Sequence, residues 1–198
     1  MKAELAAAET LPTSIDDARR FWERGAASAG PRKIWVYVGS AGWSPRDDVG
    51  AQILVHEAFH VLQMELAGAQ AVSAGFDAVP AAGPVWLEEG TATYVAYKAL
   101  AALSLVRFEE FRAHWISRVR QTTSPLRLRE TRRGLFIEPY QISTLAVDFL
   151  VGTRSDARIV AYYEAIGRGE PWQAAFAAVF GKSVDTFYAE FEAYRAGL

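Results

Sequence analysis

The sequence contains no cysteine, which excludes disulfide bonds and thiolate metal sites, so any bound metal must use histidine and carboxylate ligands. No run of about 18 or more apolar residues occurs, so no transmembrane helix is expected. Neither sign of charge dominates, because 21 Lys and Arg stand against 23 Asp and Glu, for a formal net charge of −2. This balance gives no argument for a nucleic-acid partner, so none is expected.

The composition is that of a folded globular protein. Of the 198 residues, 51% are hydrophobic and 13% are aromatic, which is far from the composition of disordered chains. The N-terminal segment carries Glu4 and Glu9 and lacks a continuous apolar stretch, so it does not read as a signal peptide. The compartment in which the protein acts stays open.

Hydrophobic spacing and turn residues predict a chain that is mostly helical. A first helix is expected over 14–29, ended by Gly30-Pro31, and a strand rich in β-branched and aromatic residues over 33–38. A polar connection with a short extended piece at 135–137 is expected over 121–138. Further helices are predicted over about 48–67, 84–103, 107–120, 139–151, 155–167, 170–180 and 183–196.

The segment His56-Glu57-Ala58-Phe59-His60 lies in the helix predicted over 48–67. Two histidines four residues apart lie nearly on one face of a helix, one turn apart, so both imidazoles can reach the same metal ion. Glu57 lies one step around the helix from His56, where its carboxylate can take a proton from a water bound to that metal. The alternative is a structural helix with two hydrogen-bonded histidines and a surface glutamate.

A second segment narrows this choice. Residues 86–97 read Trp-Leu-Glu-Glu-Gly-Thr-Ala-Thr-Tyr-Val-Ala-Tyr. Together with the HExxH segment, they resemble the gluzincin zinc metallopeptidases, most closely the peptidase MA-like families, in which a W-L-x-E-G-x-A-x-Y helix follows HExxH. The matching positions are Trp86, Leu87, Glu89, Gly90, Ala92 and Tyr94. The resemblance implies one bound Zn²⁺ ion and a metallohydrolase activity.

The resemblance also implies the third zinc ligand, which maps to Glu89. Two histidines and one carboxylate leave a fourth position for water, which is the arrangement of catalytic zinc sites. Glu88 lies about 100° around the helix from Glu89, so the two carboxylates cannot face the ion equally, and Glu88 is expected to be solvated or to support the ligands. Gly90, which has no Cβ, is expected to let this helix approach the histidine-bearing helix closely.

Two further roles come from the same resemblance. Many relatives have an acidic residue one turn beyond the glutamate ligand, where it orients a metal-bound histidine, and here that position is Thr93. A hydroxyl accepts less strongly from an imidazole than a carboxylate does, which predicts lower zinc affinity than in relatives. Tyr140, at the start of the helix opened by Pro139, either donates to the oxyanion of the reaction intermediate or is an ordinary packed tyrosine.

Other polar residues are expected to be ordinary surface groups. His114 is predicted to be a surface or half-buried histidine. The arginines between 118 and 133 are predicted to form a solvated basic face, with an acidic substrate or a peptide C-terminus as the alternative partner. These arginines are Arg118, Arg120, Arg127, Arg129, Arg132 and Arg133.

The predicted fold class is therefore α+β, predominantly helical and zincin-like, with a small and reduced N-terminal sheet. A single metallohydrolase domain is expected over 1–198: an N-terminal helix and strand in 1–48, the zinc-binding helices in 49–104, and a helical C-terminal part in 105–198. The C-terminal segment 176–187 resembles the closing segment of the same families and is expected to cover the catalytic core.

The predicted function is hydrolysis of an amide bond in a peptide or small amide substrate, with Glu57 activating a zinc-bound water. Relatives are often exported, although this chain shows no export signal. Only residues 39–55 separate the predicted strand from His56, which leaves little room for a strand that would align an extended peptide. The alternatives are therefore a zinc enzyme for a non-peptide substrate in a shortened cleft, or a non-catalytic zinc-binding module.

Overall fold

A computed structural model describes residues 27–30, 32–36, 48–68, 77–135, 140–152 and 156–198. The first described element is a hairpin in which β1 (Ala27–Gly30) pairs antiparallel with β2 (Lys33–Val36), so that Ala27 lies opposite Val36. The helix predicted over 14–29 is therefore wrong at its end, because the small residues of β1 pair with the β-branched and aromatic residues of β2. Residues 14–26 and 37–38 lie outside the described residues.

Helices dominate the rest of the described chain, which confirms the predominantly helical fold class and the small sheet before the HExxH segment. Most helix bounds agree with the predictions within two or three residues, as is usual for helix ends. The α-helices are α1 (Asp48–Ala67), α2 (Val85–Ala102), α3 (Phe108–Val119), α4 (Arg132–Leu135), α5 (Gln141–Val151), α6 (Ala157–Gly167), α7 (Trp172–Phe180) and α8 (Val184–Ala196). Among the described residues, no helix is both long enough and apolar enough to cross a membrane.

The segment 121–138 contains more regular structure than predicted. A 3-10 helix spans Leu126–Glu130, and Leu135 belongs to α4 instead of an extended piece. Gly134 lies so close to the Leu128 carbonyl oxygen that a Cβ would come within 1.6 Å of it, which shows how tightly this segment folds back on itself. Residues 136–139, including Pro139, lie outside the described residues.

Helix α2 lies at the centre of the fold, in contact with α1, α3 and α5. Ten of its residues are buried, with Trp86 fully inaccessible. The expectation for Gly90 is wrong, because a Cβ there would lie 2.5 Å from the Ser143 carbonyl oxygen of α5. Gly90 therefore permits the close approach of α2 to α5, and not to the histidine-bearing helix.

The C-terminal helices bury an aromatic core against α2. The rings of Trp86 and Phe187 stack with centroids 5.3 Å apart, and the Trp86 indole N–H donates to the Tyr188 hydroxyl at 2.9 Å. Tyr188 in turn donates to the Glu130 carboxylate at 2.8 Å. Because a buried indole or phenol needs a polar partner, this chain of hydrogen bonds fixes α8 and the 3-10 helix against α2.

Candidate metal centre

Helix α1 directs both histidines of the HExxH segment at α2. The Nε2 atoms of His56 and His60 lie 2.9 Å apart, with the rings nearly perpendicular. Residues one turn apart on a helix share a face, and both side chains are largely buried, with about 12% of each exposed. The four-residue spacing therefore directs the Nε2 atoms of both histidines at one position.

Glu89 of α2 completes the cluster. Its Oε2 atom lies 3.3 Å from Nε2 of His56 and 3.4 Å from Nε2 of His60. Glu88 faces elsewhere, since its Oε1 atom lies 3.3 Å from the Arg132 guanidinium. Arg132 also approaches the second oxygen of Glu89, at 3.8 Å. Of the two neighbouring glutamates, Glu89 is the one whose carboxylate lies with the histidines.

The size of the triangle fits a tetrahedral metal ion. Ligands about 2.0–2.1 Å from zinc are roughly 3.3 Å from one another in a regular tetrahedron. The three observed separations between His56, His60 and Glu89 are 2.9, 3.3 and 3.4 Å, and the three side chains form a group able to hold a metal ion. The two-nitrogen, one-oxygen donor set suits zinc and leaves a coordination position open.

The electrostatics of the cluster favour positive charge. Burial lowers the pKa of His60, but the carboxylates of Glu89, Glu88 and Glu57 outweigh it and raise the pKa from 6.5 to about 9. Burial likewise raises the pKa of Glu89, yet His60 and His56 hold it well below its ordinary value. The field that keeps a proton on His60 also attracts a metal cation, so protons and metal compete for this cluster.

The outward nitrogens of both histidines have hydrogen-bonding partners. Nδ1 of His56 lies 3.1 Å from the Thr93 hydroxyl. Nδ1 of His60 lies 2.6 Å from Oε1 of Gln63, a side chain that is only 4% exposed. Partners of this kind fix the orientation of a ligand ring and tune its basicity.

A cleft of about 400 Å³ opens beside the cluster, on the side of His56. Glu57 lines this cleft together with His56, and the charge of its carboxylate acts on His60. Tyr140 also lines it, with 41% of its surface exposed. The remaining lining residues are Gln52, Ile53, Thr93, Tyr97, Phe111, His114, Trp115, Gln141 and Thr144.

The hydroxyl of Tyr140 lies near the ligand cluster. It lies close enough to the Glu89 carboxylate for that charge to act on it. Burial of the hydroxyl end, together with the negative charge of Glu89, raises the pKa of Tyr140 well above its ordinary value. The phenol is therefore a neutral hydrogen-bond donor at pH 7, as an oxyanion partner must be.

Some residues near the cluster were missed by sequence reasoning. Gln63 follows His60 by three residues and so lies on the same helix face, inside the otherwise apolar run Val61-Leu62-Gln63-Met64, which is a usable signal. Arg132 belongs to the arginines predicted to form a solvated face, yet it contacts both glutamates. Arg129 departs further from that prediction, because it is only 1% exposed.

Comparisons of the chain with protein families, curated proteins and solved structures found no match. The function must therefore be argued from the residues of the cluster and the cleft.

Proposed function

We propose that this protein is a zinc-dependent hydrolase, and specifically a metallopeptidase of gluzincin type built on a zincin-like arrangement of α1 and α2. One observation carries the proposal: His56, His60 and Glu89 form a metal-sized triangle, and Glu57 lines an open cleft together with His56. A structural metal site does not need such a carboxylate, whereas hydrolysis needs a general base at that position.

The ligands of the zinc ion would be His56, His60 and Glu89. When bound there, zinc would polarise a substrate carbonyl and lower the pKa of water. The chain itself supplies the proton transfers. Glu57 takes a proton from the attacking water and later delivers it to the leaving amine, so that the amine departs neutral.

Tyr140 is proposed to donate a hydrogen bond to the oxyanion that forms when the carbonyl is attacked. Its position in the cleft and its neutral hydroxyl both support this role. Tyr97 and Phe111, whose rings pack 4.2 Å apart, also line the cleft and offer aromatic surface for a substrate side chain. A cleft of this size, part polar and part aromatic, suits a short peptide or a small amide.

The proposal is tested by incubating the zinc-loaded protein with a peptide library and identifying cleavage products by mass spectrometry. We expect cleavage that a chelator abolishes, and a loss of about 10²- to 10⁴-fold in rate for Glu57→Gln, as for removal of a general base. Glu65→Gln is the matched control, because Glu65 lies on the same helix but is exposed and pairs with Arg32.

Two outcomes would contradict the peptidase proposal. If the Glu57→Gln variant cleaves its substrate at the wild-type rate, Glu57 is not the general base of the reaction. If small amides or esters are cleaved but no peptide is, the protein is instead the alternative, a zinc enzyme for non-peptide substrates. That alternative is favoured by the sheet, which has only two four-residue strands within the described ranges.

A further inference from the structure

We infer that Gln63 is a positioning residue of the metal centre: it holds His60 in the tautomer that presents Nε2 to the metal. The inference rests on the metal site proposed above but not on the reaction carried out there. The hydrogen bonds around the buried side-chain amide of Gln63 allow that amide only one orientation.

The orientation of the Gln63 amide follows from its surroundings. One end of the amide lies 2.9 Å from the backbone carbonyl oxygen of Glu88. A carbonyl oxygen only accepts hydrogen bonds, so this end must be the NH₂ group. The same nitrogen lies 2.8 Å from the Thr91 hydroxyl and 2.9 Å from the Tyr163 hydroxyl. The other end, Oε1, is therefore the atom that faces His60.

The tautomer of His60 follows in turn. Nδ1 of His60 lies 2.6 Å from Oε1 of Gln63. An amide oxygen cannot donate, so Nδ1 must carry the hydrogen of this bond. A neutral imidazole with its hydrogen on Nδ1 has its lone pair on Nε2, the atom that lies 3.4 Å from Oε2 of Glu89. The lone pair that a metal needs thus faces the predicted metal position.

The amide is held rigidly because three elements contribute to its surroundings. Gln63 belongs to α1, Glu88 and Thr91 to α2, and Tyr163 to α6. Gln63, Thr91 and Tyr163 are 4%, 1% and 2% exposed, and the hydroxyls of Thr91 and Tyr163 lie 3.1 Å apart. A buried network in which every member has a partner is rigid. Helix α6, which is distant in the sequence from both α1 and α2, therefore takes part in orienting a ligand.

The decisive experiment measures the zinc dissociation constant by competition with a chromophoric chelator, alongside the melting temperature of the metal-free protein. Gln63→Leu keeps helix propensity and removes the acceptor for His60. We expect it to bind zinc about 10- to 100-fold more weakly, as for loss of a partner that orients a metal ligand. Glu88 and Tyr163 keep the Thr91 hydroxyl as a partner, so the variant is expected to fold.

Two further variants separate positioning from general stability. Thr91→Val disturbs the same buried network without touching a histidine, so the melting temperature should fall while zinc affinity stays within about fivefold of wild type, below the range for loss of an orienting partner. Gln63→Glu keeps an acceptor facing His60 but puts an oxygen beside the Glu88 carbonyl. It should therefore lower the melting temperature while retaining zinc affinity.

Nitrogen-15 NMR of the zinc-loaded protein gives a direct signature. We expect a slowly exchanging Nδ1–H proton on His60 in the wild type and in Thr91→Val, and faster exchange in Gln63→Leu. Equal zinc affinity in the wild type and in a folded Gln63→Leu would overturn the role of Gln63, as would an equal loss of affinity in Thr91→Val. A wild type that binds zinc but cleaves no substrate would overturn the proposed function alone.

Discussion

The two flanks of the metal cluster differ in what they expose. The inner flank, made of Gln63, Thr91 and Tyr163, is almost inaccessible, and its members bond to one another across three helices. The outer flank, made of Glu57, Thr93 and Tyr140, lines the cleft. His60 lies against the inner flank and His56 against the outer one.

This difference suggests that the two flanks have different tasks: the inner flank would hold the predicted ligands in place, and the outer flank would take part in the proposed reaction. A buried and fully bonded flank loses little side-chain entropy when a metal binds, so it suits the fixing of ligand geometry. The flank beside the cleft can meet a substrate and exchange protons with it. Substitutions on the inner flank should therefore alter stability, and at Gln63 also metal affinity, whereas substitutions of Glu57 and Tyr140 should alter turnover with the metal still bound.

The largest effect on metal binding is expected at Glu89, which belongs to neither flank. Glu89→Gln removes the negative ligand, and we expect zinc affinity to fall by more than about 100-fold, beyond the loss caused by any orienting partner. Glu88→Gln is the matched control, because Glu88 is the adjacent carboxylate and contacts Arg132 instead of the histidines. Chelator competition on both variants checks the assignment, and equal losses in the two would refute it.

Tyr140 should have the next largest effect, confined to the outer flank. Tyr140→Phe removes only the hydroxyl, and we expect the rate of substrate cleavage to fall by about 10²- to 10³-fold, as for loss of one oxyanion donor. Zinc affinity should change little, since Tyr140 is not one of the three predicted ligands. Turnover and zinc titration are measured on the same preparation. An unchanged rate would make Tyr140 a packed tyrosine, the alternative that the sequence left open.

Substitution of Thr93 should cause the smallest loss of zinc affinity, which allows the two flanks to be compared directly. Thr93→Val keeps the shape of the side chain and removes the hydroxyl beside His56, so we expect zinc affinity to fall by about tenfold or less. The loss should be smaller than that of Gln63→Leu, because the Thr93 contact is longer and lies beside the cleft. A nanomolar or tighter dissociation constant that Thr93→Val leaves unchanged would contradict the prediction of weakened zinc binding.

Structure could be predicted from the sequence where local signals determine it. The spacing of His56 and His60 requires only a helix, and local start and stop signals at the two ends of 48–67 predicted that helix. Prediction failed where long-range packing decides. The strand Ala27–Gly30 forms because a partner strand is available, and Gly90 faces Ser143 because α5 returns to α2. Neither contact leaves a local signal in the sequence.

The candidate site was likewise predictable only in part. The ligands follow from helix geometry and from the resemblance to gluzincins, but the role of Gln63 depends on Tyr163, which is 100 residues away in the chain. Arg132 comes from a segment predicted to be a solvated connection, and its place beside the two glutamates depends on the fold of that segment. Partners from distant helices cannot be read from a motif.

The central claim, that His56, His60 and Glu89 bind one zinc ion, is tested most directly by metal analysis of the purified protein. His60→Ala is compared with His114→Ala, which removes the third histidine of the chain, an exposed residue of α3 outside the ligand cluster. We expect about one zinc ion per chain in the wild type and in His114→Ala, and a large loss in His60→Ala. Equal zinc content in His60→Ala and the wild type, or no zinc bound by the wild type, would contradict it.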